Sequence, residues 1–304
     1  MSAEVGVTSL VVLVTGGTGQ VGHELVRQLS PFMKVVAPAR ADLDLADPDS
    51  IRRCVRTVRP QLILNAGAYT AVDDAETNAE LARAVNAVAP EILADEIARL
   101  QGSIIHYSTD YVFDGSKLEP YNEDDVTNPL SVYGVTKRDG ERAVMASCAP
   151  HLVLRTSWVY GQRGRNFLRT IVRLARERDE LRVVNDQHGA PTWSRSVAAA
   201  TVGILAKISG GDQLLSKALA DVSGLYHLTA AGSTTWYHFA RAILALDGER
   251  HEHRCRRVVP IASSEFASAA PRPANSMLAC DRIDRSLGIR LPHWQQQLPD
   301  AMST

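Results

Sequence analysis

Two residues of this chain, Tyr133 and Lys137, have types and a spacing that suit proton transfer to a carbonyl oxygen. They open a predicted helix, so both side chains project from one face, one turn apart. Reduction of a carbonyl by hydride requires a proton donor at the developing alkoxide. Free tyrosine, with a pKa of about 10, is a poor donor near neutrality, and a neighbouring lysine ammonium lowers that pKa. Taken alone, this motif recurs often by chance, and a solvated helix face is the more common explanation. The distance from the glycine turn and the hydroxyls of Ser108 and Thr109, described below, raise the prediction of a hydride-transfer reductase above it.

A glycine-rich turn near the N-terminus predicts a phosphate-binding site. Two fingerprints overlap in it, Gly16-x-x-Gly19-x-x-Gly22 and Gly17-x-Gly19-x-x-Gly22. The turn follows an apolar run at 10–14 and precedes a helical pattern, which is the context in which such a turn binds a dinucleotide. There the backbone approaches a pyrophosphate closely, and the helix N-terminus offers free N–H groups. The alternative is a glycine-rich turn that binds no ligand.

The segment after the predicted second strand bears on the choice of cofactor. NAD-binding folds usually carry an acidic residue at the end of that strand, where it binds the ribose hydroxyls. Here the segment 37–40 contains no acid and ends in Arg40. Arg40 instead suits the 2′-phosphate of NADPH, which is therefore the predicted cofactor, with NADH left open. The alternative for Arg40 is an exposed loop arginine.

The elements that must position these residues alternate along the first half of the chain. Short apolar strands at 10–14, 34–37, 62–64, 103–107 and 152–155 are separated by helical patterns. Such an alternation is typical of a parallel sheet covered by helices on both faces. The sequence thus predicts an α/β fold with a doubly wound parallel-sheet Rossmann domain. Ligands of such sheets bind at the carboxyl ends of the strands, and the candidate residues follow those ends.

After about residue 161 the alternation loosens into short strands and helices, which predict a smaller mixed α/β substrate-binding domain. The predicted division assigns residues 1–160, with about 186–212, to the NAD(P)-binding domain. It assigns about 161–185 and 213–304 to the substrate domain. Within the first domain, a helical pattern over 78–100 contains Pro90, which is expected to kink or divide it.

Composition limits the classes of function. A net charge of −1 argues against a nucleic acid as the main partner, since that binding requires clustered surplus Lys and Arg. No apolar run reaches the roughly 18–20 residues that cross a bilayer, and residues 1–10 lack the features of a signal peptide. The four cysteines contain no CxxC pair and fit a reducing compartment. We therefore expect a cytoplasmic chain that binds neither nucleic acid nor membrane.

The segment 251–255, which reads His-Glu-His-Arg-Cys, superficially resembles a metal-binding tract. No second cluster of ligands accompanies it in the sequence. A solvated loop is therefore expected there, and no metal site is predicted.

Seven strings spread over nearly the whole chain carry a family resemblance. In order they read GGTGQVG, NAGAYTAVDDAE, STDYVFDG, VYGVTK, RTSWVYG, DQHGAPT and PRPANS. In that combination the chain resembles the dTDP-4-dehydrorhamnose reductases, extended members of the short-chain dehydrogenase/reductase superfamily. The distance from the glycine turn to Tyr133 also suits that superfamily, and Ser108 and Thr109 stand where it keeps a carbonyl-binding hydroxyl. The resemblance implies reduction of the C4 ketone of dTDP-4-dehydro-L-rhamnose by NAD(P)H, the last step of dTDP-L-rhamnose synthesis.

The resemblance also implies a role for each candidate residue. Tyr133 would donate the proton to the C4 oxygen, Thr109 would hold that oxygen, and Lys137 would tune Tyr133 and grip the nicotinamide ribose. The implied cofactor-binding residues are Gly16, Gly19, Gln20, Val21, Gly22, Arg40, Asp44, Leu45, Asn65, Ala66, Ala68, Tyr133 and Lys137. The implied substrate-binding residues are Asp110, Tyr111, Trp158, Gln187, Gly189 and Arg272. Trp158 would form an apolar wall against the sugar, and Arg272 would offer its guanidinium towards the diphosphate.

For three of these residues a purely structural role is the alternative. Asp110 would cap a turn, Trp158 would be plain core, and Arg272 would be a surface ion-pair partner. Gly67 departs from the NAAA string that is commoner in the family, a change expected to leave the pocket intact.

Two other functions remain open at the level of the sequence. One is a non-catalytic NADP-binding regulatory subunit, related to that of methionine adenosyltransferase. The other is a further nucleotide-sugar enzyme, such as an epimerase. The intact set of Thr109, Tyr133 and Lys137 favours the reductase. The predicted partner is a small nucleotide-sugar substrate, and the oligomeric state is left open, with a homodimer as one option.

Overall fold

The computed structural model describes residues 10–208 and 214–303. The strands β1 to β12 are, in chain order, Val11–Thr15, Lys34–Val36, Leu62–Asn65, Ser103–Thr109, His151–Thr156, Val159–Tyr160, Glu180–Val184, His188–Gly189, Thr192–Trp193, Gly224–His227, Thr234–Thr235 and Arg257–Ile261. The helices α1 to α12 are Gln20–Leu29, Pro48–Val58, Val72–Ala75, Ala79–Arg83, Ala89–Arg99, Val132–Ala146, Phe167–Glu177, Ser194–Ile208, Leu215–Ala220, Trp236–Leu246, Asp281–Leu287 and Trp294–Ser303.

Six strands form one parallel sheet in the order β2-β1-β3-β4-β5-β10. The strand order reverses direction between β1 and β3, which is where open α/β sheets form their ligand crevice. The register sets Thr15 of β1 beside Asn65 of β3 and Asn65 beside His106 of β4. It also sets Thr109 at the end of β4 opposite Thr156 at the end of β5. The polar ends of four strands therefore meet at one edge.

Helices cover both faces of this sheet, and each face has its own apolar layer. On one face α1, α8, α9 and α11 contribute buried side chains such as Leu25, Ile204 and Ile283. On the other face α2, α5 and α6 contribute side chains such as Val55 and Leu93. The predicted α/β fold with a doubly wound parallel sheet is confirmed.

A third apolar cluster lies apart from the sheet and is built by α7, β7, α10 and α12. Beside it β7 and β12 form a parallel two-stranded ladder. The predicted boundaries between two domains stay a prediction. The structure does show that β10, α9 and α11, all within the segment 213–304, join the large sheet and its layers rather than the third cluster.

The helical pattern predicted over 78–100 is divided, as Pro90 led us to expect. A π-helical turn, Ala84–Val88, separates α4 from α5, and Pro90 is the second residue of α5. Proline has no N–H to donate, so regular bonding cannot run through it, and a π turn is a common accommodation. The turn presents the Asn86 side chain to Tyr69, whose backbone N–H and C=O it bonds at 2.8 and 3.0 Å.

Within 10–208 and 214–303, no helix combines the length and the apolar character that crossing a bilayer requires. One expectation from the sequence concerns residues that the structure does not describe. Residues 1–9, which we expected to carry no signal peptide, lie outside the described residues, as do 209–213.

Candidate active site

A cavity of ≈ 620 Å³, here called the cleft, opens at the carboxyl ends of β1, β3, β4 and β5. Its volume is typical of small-molecule sites. The predicted site residues that line it are Gly16, Gly19, Gln20, Val21, Arg40, Asp44, Leu45, Ala66, Ala68, Thr109, Asp110, Tyr133, Lys137 and Trp158. Cofactor and substrate candidates that lie far apart in the chain are thus brought to one cavity.

The glycine turn connects β1 to α1 at one end of the cleft. Gly16 has a φ of +65°, and a Cβ there would stand 2.6 Å from the Cα of Gly67. Gly22 is buried on α1, where a Cβ would stand 2.1 Å from the carbonyl oxygen of Gly16. No side chain caps α1, whose N-cap is Gly19. The turn therefore leaves backbone N–H groups facing the cleft, an arrangement that fits the pyrophosphate of a dinucleotide.

Beyond the turn, the cleft reaches Arg40, Asp44 and Leu45. The Asp44 carboxylate accepts a hydrogen bond from the Ala46 N–H at 2.9 Å, so it closes a local turn. Arg40 is exposed and forms no ion pair with any described residue. A free guanidinium at this end of the cleft fits a 2′-phosphate.

Asn65 does not line the cleft, although the resemblance implied a cofactor contact for it. Its side chain is buried between strands, where it accepts from the Thr15 hydroxyl at 2.6 Å and meets the His106 ring at 2.9 Å. Successive strand residues point to opposite faces, so Asn65 is turned inward while the following Ala66 faces the cavity.

Thr109, Tyr133 and Lys137, here called the catalytic group after their predicted role, all line the cleft. The helix α6 begins where the Ser131 hydroxyl accepts the Gly134 N–H at 3.2 Å, which places Tyr133 and Lys137 on its first turns. Lys137 is 2% exposed, and its ammonium donates to the Tyr107 carbonyl oxygen at 2.6 Å. The predicted pair therefore projects from a helix into the cleft, and a solvated helix face is excluded.

Burial dominates the acid–base properties of the catalytic group. It raises the pKa of Tyr133 to about 12, against a hydrogen bond with Thr109 that lowers it. It lowers the pKa of Lys137 to about 8, against the nearby Glu141 carboxylate, which raises it. We expected the lysine to lower the pKa of Tyr133; in this structure desolvation outweighs any such effect.

Asp110 follows Thr109 and is almost fully buried at the cleft. Its carboxylate accepts from the Thr109 hydroxyl at 3.0 Å. Burial raises the pKa of Asp110 to about 7, and hydrogen bonds with Ser276 and Thr109 only partly offset that effect. A carboxyl group that changes charge near neutrality therefore lies next to the reactive hydroxyls, and perturbed groups of this kind are typical of functional sites.

Trp158 forms one side of the cleft in a left-handed backbone conformation, with a φ of +46°. Such a conformation is rare for a bulky residue, and residues strained in this way cluster at functional sites. The Trp158 ring stacks on Trp236, with centroids 3.4 Å apart and an interplanar angle of 6°. A Cβ on Gly189 would stand 2.4 Å from the same ring.

Gln187 and Gly189, which the resemblance implied as substrate-binding residues, lie against Trp236 and Trp158 respectively. The Gln187 side chain accepts from the Trp236 indole N–H at 3.2 Å and donates to the Ser263 hydroxyl at 3.0 Å. Neither residue lines the cleft. The sequence interpretation missed Trp236 because its partner Trp158 lies in a distant segment and no local spacing links the two.

Arg272 is held by an ion pair with Asp73 at 2.7 Å and is 19% exposed. Asp73 also accepts the Ala270 N–H at 3.0 Å, so it anchors the segment that carries the arginine. Arg272 acts to lower the pKa of Tyr111, which burial raises. Tyr111 in turn meets the edge of Tyr133, with ring centroids 5.9 Å apart. Arg272 is thus paired with Asp73 and lies near Tyr111, and its contact with the diphosphate stays a prediction.

The segment 251–255 is tied into the fold by its second histidine. The His253 ring bonds the Asp247 carboxylate at 2.8 Å. Across the described parts of the chain, no group of three or more His, Cys, Asp or Glu side chains is placed to hold a metal ion.

Comparison with known proteins identifies relatives along almost the full chain. A family model described as the RmlD substrate binding domain matches residues 10–304. A dTDP-4-dehydrorhamnose reductase of Burkholderia thailandensis is 45% identical over 93% of this chain and 95% of its own length. A crystal structure of a dTDP-4-dehydrorhamnose reductase from Clostridium acetobutylicum superposes with a TM-score of 0.87 at 32% identity, covering 97% of this chain and 99% of that one. One from Bacillus anthracis, in complex with NADP, has a TM-score of 0.86 at 29% identity and the same coverage.

Proposed function

The chain belongs to the RmlD substrate binding domain family, and from this premise we propose that it reduces the C4 ketone of dTDP-4-dehydro-L-rhamnose to dTDP-L-rhamnose with NADPH. The observation that carries the proposal is the meeting of Thr109, Tyr133 and Lys137 in the same cavity as the glycine turn. The reductase name of the relatives favours this activity over the regulatory subunit and over an epimerase. We also propose a cytoplasmic location, with which four unpaired cysteines are compatible.

The residues at one end of the cleft suit the cofactor, which supplies a hydride when bound. The uncapped first turn of α1 would bind the pyrophosphate, and Arg40 the 2′-phosphate. The relative from Bacillus anthracis was crystallised with NADP. Lys137, whose ammonium lies within the cleft, would bond the nicotinamide ribose. NADPH is therefore the proposed cofactor, with NADH as a slower substitute.

The catalytic group would then act on the carbonyl oxygen. Tyr133 is the proton donor, because its phenol is protonated at neutral pH and lies beside Thr109. The Thr109 hydroxyl, which bonds Asp110 at 3.0 Å, can rotate to donate to the developing oxyanion. A preorganised donor of this kind stabilises the charge that forms in the transition state. Tyr133 thus transfers the proton, Thr109 stabilises the oxyanion, and Lys137 orients the cofactor.

The remaining candidates would bind the nucleotide-sugar. Trp158, backed by Trp236, presents a flat apolar face that suits a deoxysugar ring. Asp110 and Tyr111 adjoin the catalytic group and would contact the sugar. Arg272 would bind the diphosphate, with Asp73 holding its guanidinium in place. Gln187 and Gly189 would act through Trp158 rather than by direct contact, and Asn65 would act through the buried side chains that it bonds, Thr15 and His106.

The test is a steady-state assay of NADPH oxidation, followed by the loss of its near-ultraviolet absorbance, with dTDP-4-dehydro-L-rhamnose generated in place. We expect substrate-dependent oxidation, and Tyr133→Phe should lower kcat by about 10²–10⁴-fold, which is what one positioned acid contributes. NADPH affinity of the variant, measured by calorimetry, should stay unchanged.

Other outcomes would separate the alternatives. Binding of NADPH with no oxidation, together with co-purification of a larger enzyme, would support the regulatory subunit. Tightly retained NAD with no net consumption would support an epimerase. Near-normal turnover of Tyr133→Phe would refute the assigned proton donor.

A further inference from the structure

A chain of buried hydrogen bonds runs from the backbone beside the glycine turn to Lys137. The Gly67 N–H donates to the Thr15 hydroxyl at 3.0 Å, and Thr15 meets the Asn65 side-chain oxygen at 2.6 Å. The Asn65 amide nitrogen meets the His106 Nδ1 at 2.9 Å, and the His106 Nε2 lies 3.4 Å from the Lys137 Nζ. His106 is inaccessible to solvent, and Thr15 and Asn65 are each 1% exposed.

The direction of each bond in this chain follows from the groups that can donate. Because the Thr15 oxygen accepts from Gly67, its own hydrogen is free to be donated to Asn65. A separation of 2.6 Å suits an O–H···O bond and is short for N–H···O, so the Asn65 carbonyl faces Thr15. The Asn65 NH₂ group then faces His106, whose Nδ1 must be the acceptor.

It follows that the proton of the neutral His106 ring is on Nε2, the atom that faces Lys137. An Nε2–H cannot accept a hydrogen bond from the ammonium. One ammonium hydrogen goes to the Tyr107 carbonyl oxygen at 2.6 Å. The other two must point away from His106, and Lys137 lines the cleft. The same Nε2–H can donate to the neutral amine that remains after Lys137 releases a proton.

We propose that Thr15, Asn65 and His106 are positioning residues, which hold the His106 proton on Nε2 so that Lys137 directs its ammonium hydrogens into the cleft. The proposal rests on the function assigned to Lys137 above. None of the three residues touches the substrate in this scheme, and all act through Lys137. The chain of hydrogen bonds begins at Gly67, which follows β3 and packs against Gly16 of the glycine turn, so the cofactor site and Lys137 share one buried polar support.

Other groups near Lys137 also influence its charge, and they limit how far His106 alone can change it. On its own helix, Glu141 lies one turn further on and favours the charged amine. Glu141 is itself paired by Arg155 of β5 at 2.8 Å, which moderates that influence. Tyr133 lies one turn before Lys137 and is neutral at physiological pH. On β4, the titratable side chain that faces the ammonium is His106, and its ring is neutral because burial and Lys137 hold its pKa well below the usual range.

The first experiment measures the tautomer directly by ¹⁵N NMR on protein labelled at its nine histidines, with His106 assigned from His106→Gln. We expect a protonated Nε2 and an acceptor Nδ1. His227 is an internal control of opposite tautomer, because it is also buried and its Nδ1 meets the Ala279 carbonyl oxygen at 3.1 Å. A proton on the His106 Nδ1 would overturn the proposal. This readout needs no turnover, so it stands even if the assay of the proposed reaction fails.

The second experiment breaks the chain at Thr15. Thr15→Val removes the hydroxyl, so Asn65 can turn its carbonyl towards His106 and draw the proton to Nδ1; Thr15→Ser is the matched control that keeps the hydroxyl. In the valine variant the His106 Nε2 becomes an acceptor for the ammonium. The titration midpoint of Lys137, followed by ¹³C NMR among only five lysines, should rise by about one pH unit.

If Thr15→Val unfolds, Asn65→Asp provides the same change of tautomer. Its carboxylate accepts hydrogen bonds from both Thr15 and His106, which draws the His106 proton to Nδ1. In either variant we expect kcat to fall about tenfold at neutral pH, with its pH profile displaced upward and the KM for NADPH little changed. A valine or aspartate variant that keeps the wild-type tautomer and the wild-type Lys137 midpoint would show that Thr15 and Asn65 do not set the state of His106.

Discussion

The catalytic group and the distal group, the latter defined as Trp158, Gln187, Gly189 and Arg272, are built in different ways. Thr109, Tyr133 and Lys137 stand on β4 and α6, two long regular elements, and burial sets the pKa values of Tyr133 and Lys137. The distal group comes from loops and strands of two residues, and is held by stacking and by the ion pair to Asp73. Under the proposed function, the chemistry would rest on long regular elements, whereas substrate recognition would rest on contacts between distant segments. We expect changes in the first group to alter kcat and changes in the second to alter KM.

After Tyr133→Phe, the largest effect should come from Thr109→Val, which removes the donor to the oxyanion while keeping the shape of the side chain. We expect kcat to fall about 10²–10³-fold, as for the loss of one oxyanion donor. The KM for the nucleotide-sugar should change little. Thr109→Ser, which keeps the hydroxyl, should recover most of the activity. Steady-state kinetics check this, and a main effect on KM would break the comparison.

Asp110 should make the stability of the protein depend on pH. Its folded pKa, about 7 because of burial, is above the unfolded value of about 4, so the folded state holds the proton more tightly. The stabilisation is present below about pH 4 and is lost as the pH rises towards 7, up to about 4 kcal/mol. Denaturant unfolding of wild type and Asp110→Asn across this range should show the difference. Parallel pH curves would contradict it.

Asp73 should show the opposite sign. Its pKa is lowered, because hydrogen bonds from Ala270 and Arg272 outweigh burial. Its stabilisation is therefore present above the unfolded pKa and is lost as the pH falls through the folded value. We expect Asp73→Asn to lose stability mainly near neutrality, measured by the same denaturant unfolding. The pH dependence thus distinguishes Asp110, whose surroundings disfavour a charge, from Asp73, whose surroundings stabilise one.

Arg272→Ala should raise the KM for the nucleotide-sugar by roughly tenfold to a hundredfold, because a charge-assisted bond to the diphosphate is lost. The kcat should stay within a few-fold of wild type. Arg290→Ala is a matched control, since Arg290 is an exposed arginine that pairs with Asp284. An effect confined to kcat would place Arg272 in the catalytic group instead.

The smallest effect should come from Arg40→Ala. The guanidinium is exposed, so its bond to a 2′-phosphate is weakened by solvent, and we expect a loss of roughly threefold to tenfold in affinity for NADPH. Affinity for NADH, which has no such phosphate, should not change. Lys34→Ala, at the other end of β2, is the control. Equal losses for both cofactors would return Arg40 to an ordinary loop position.

Features with a local signal in the sequence were predicted well. The glycine turn, the Tyr133–Lys137 spacing and the first five strands depend on residues close together in the chain, and the structure contains all of them. Trp236 and Asp73 were missed because each acts on a residue from a distant segment. The inward turn of Asn65 depends on the exact end of β3, which strand patterns do not define. Strands of two residues, such as β8 and β9, are too short for any periodicity to reveal.

The large sheet takes its sixth strand, β10, from Gly224–His227, whereas its other five strands are complete by Thr156. During synthesis on the ribosome, β5 therefore has an unpaired edge until β10 and most of the chain have emerged. Exposed strand edges invite pairing with other chains, so this interval is where a nascent chain is most exposed to aggregation. A fragment ending near residue 160 would keep the glycine turn and Tyr133 but retain that open edge permanently. The nucleotide-binding half is therefore unsuited to transplantation as an independent cassette.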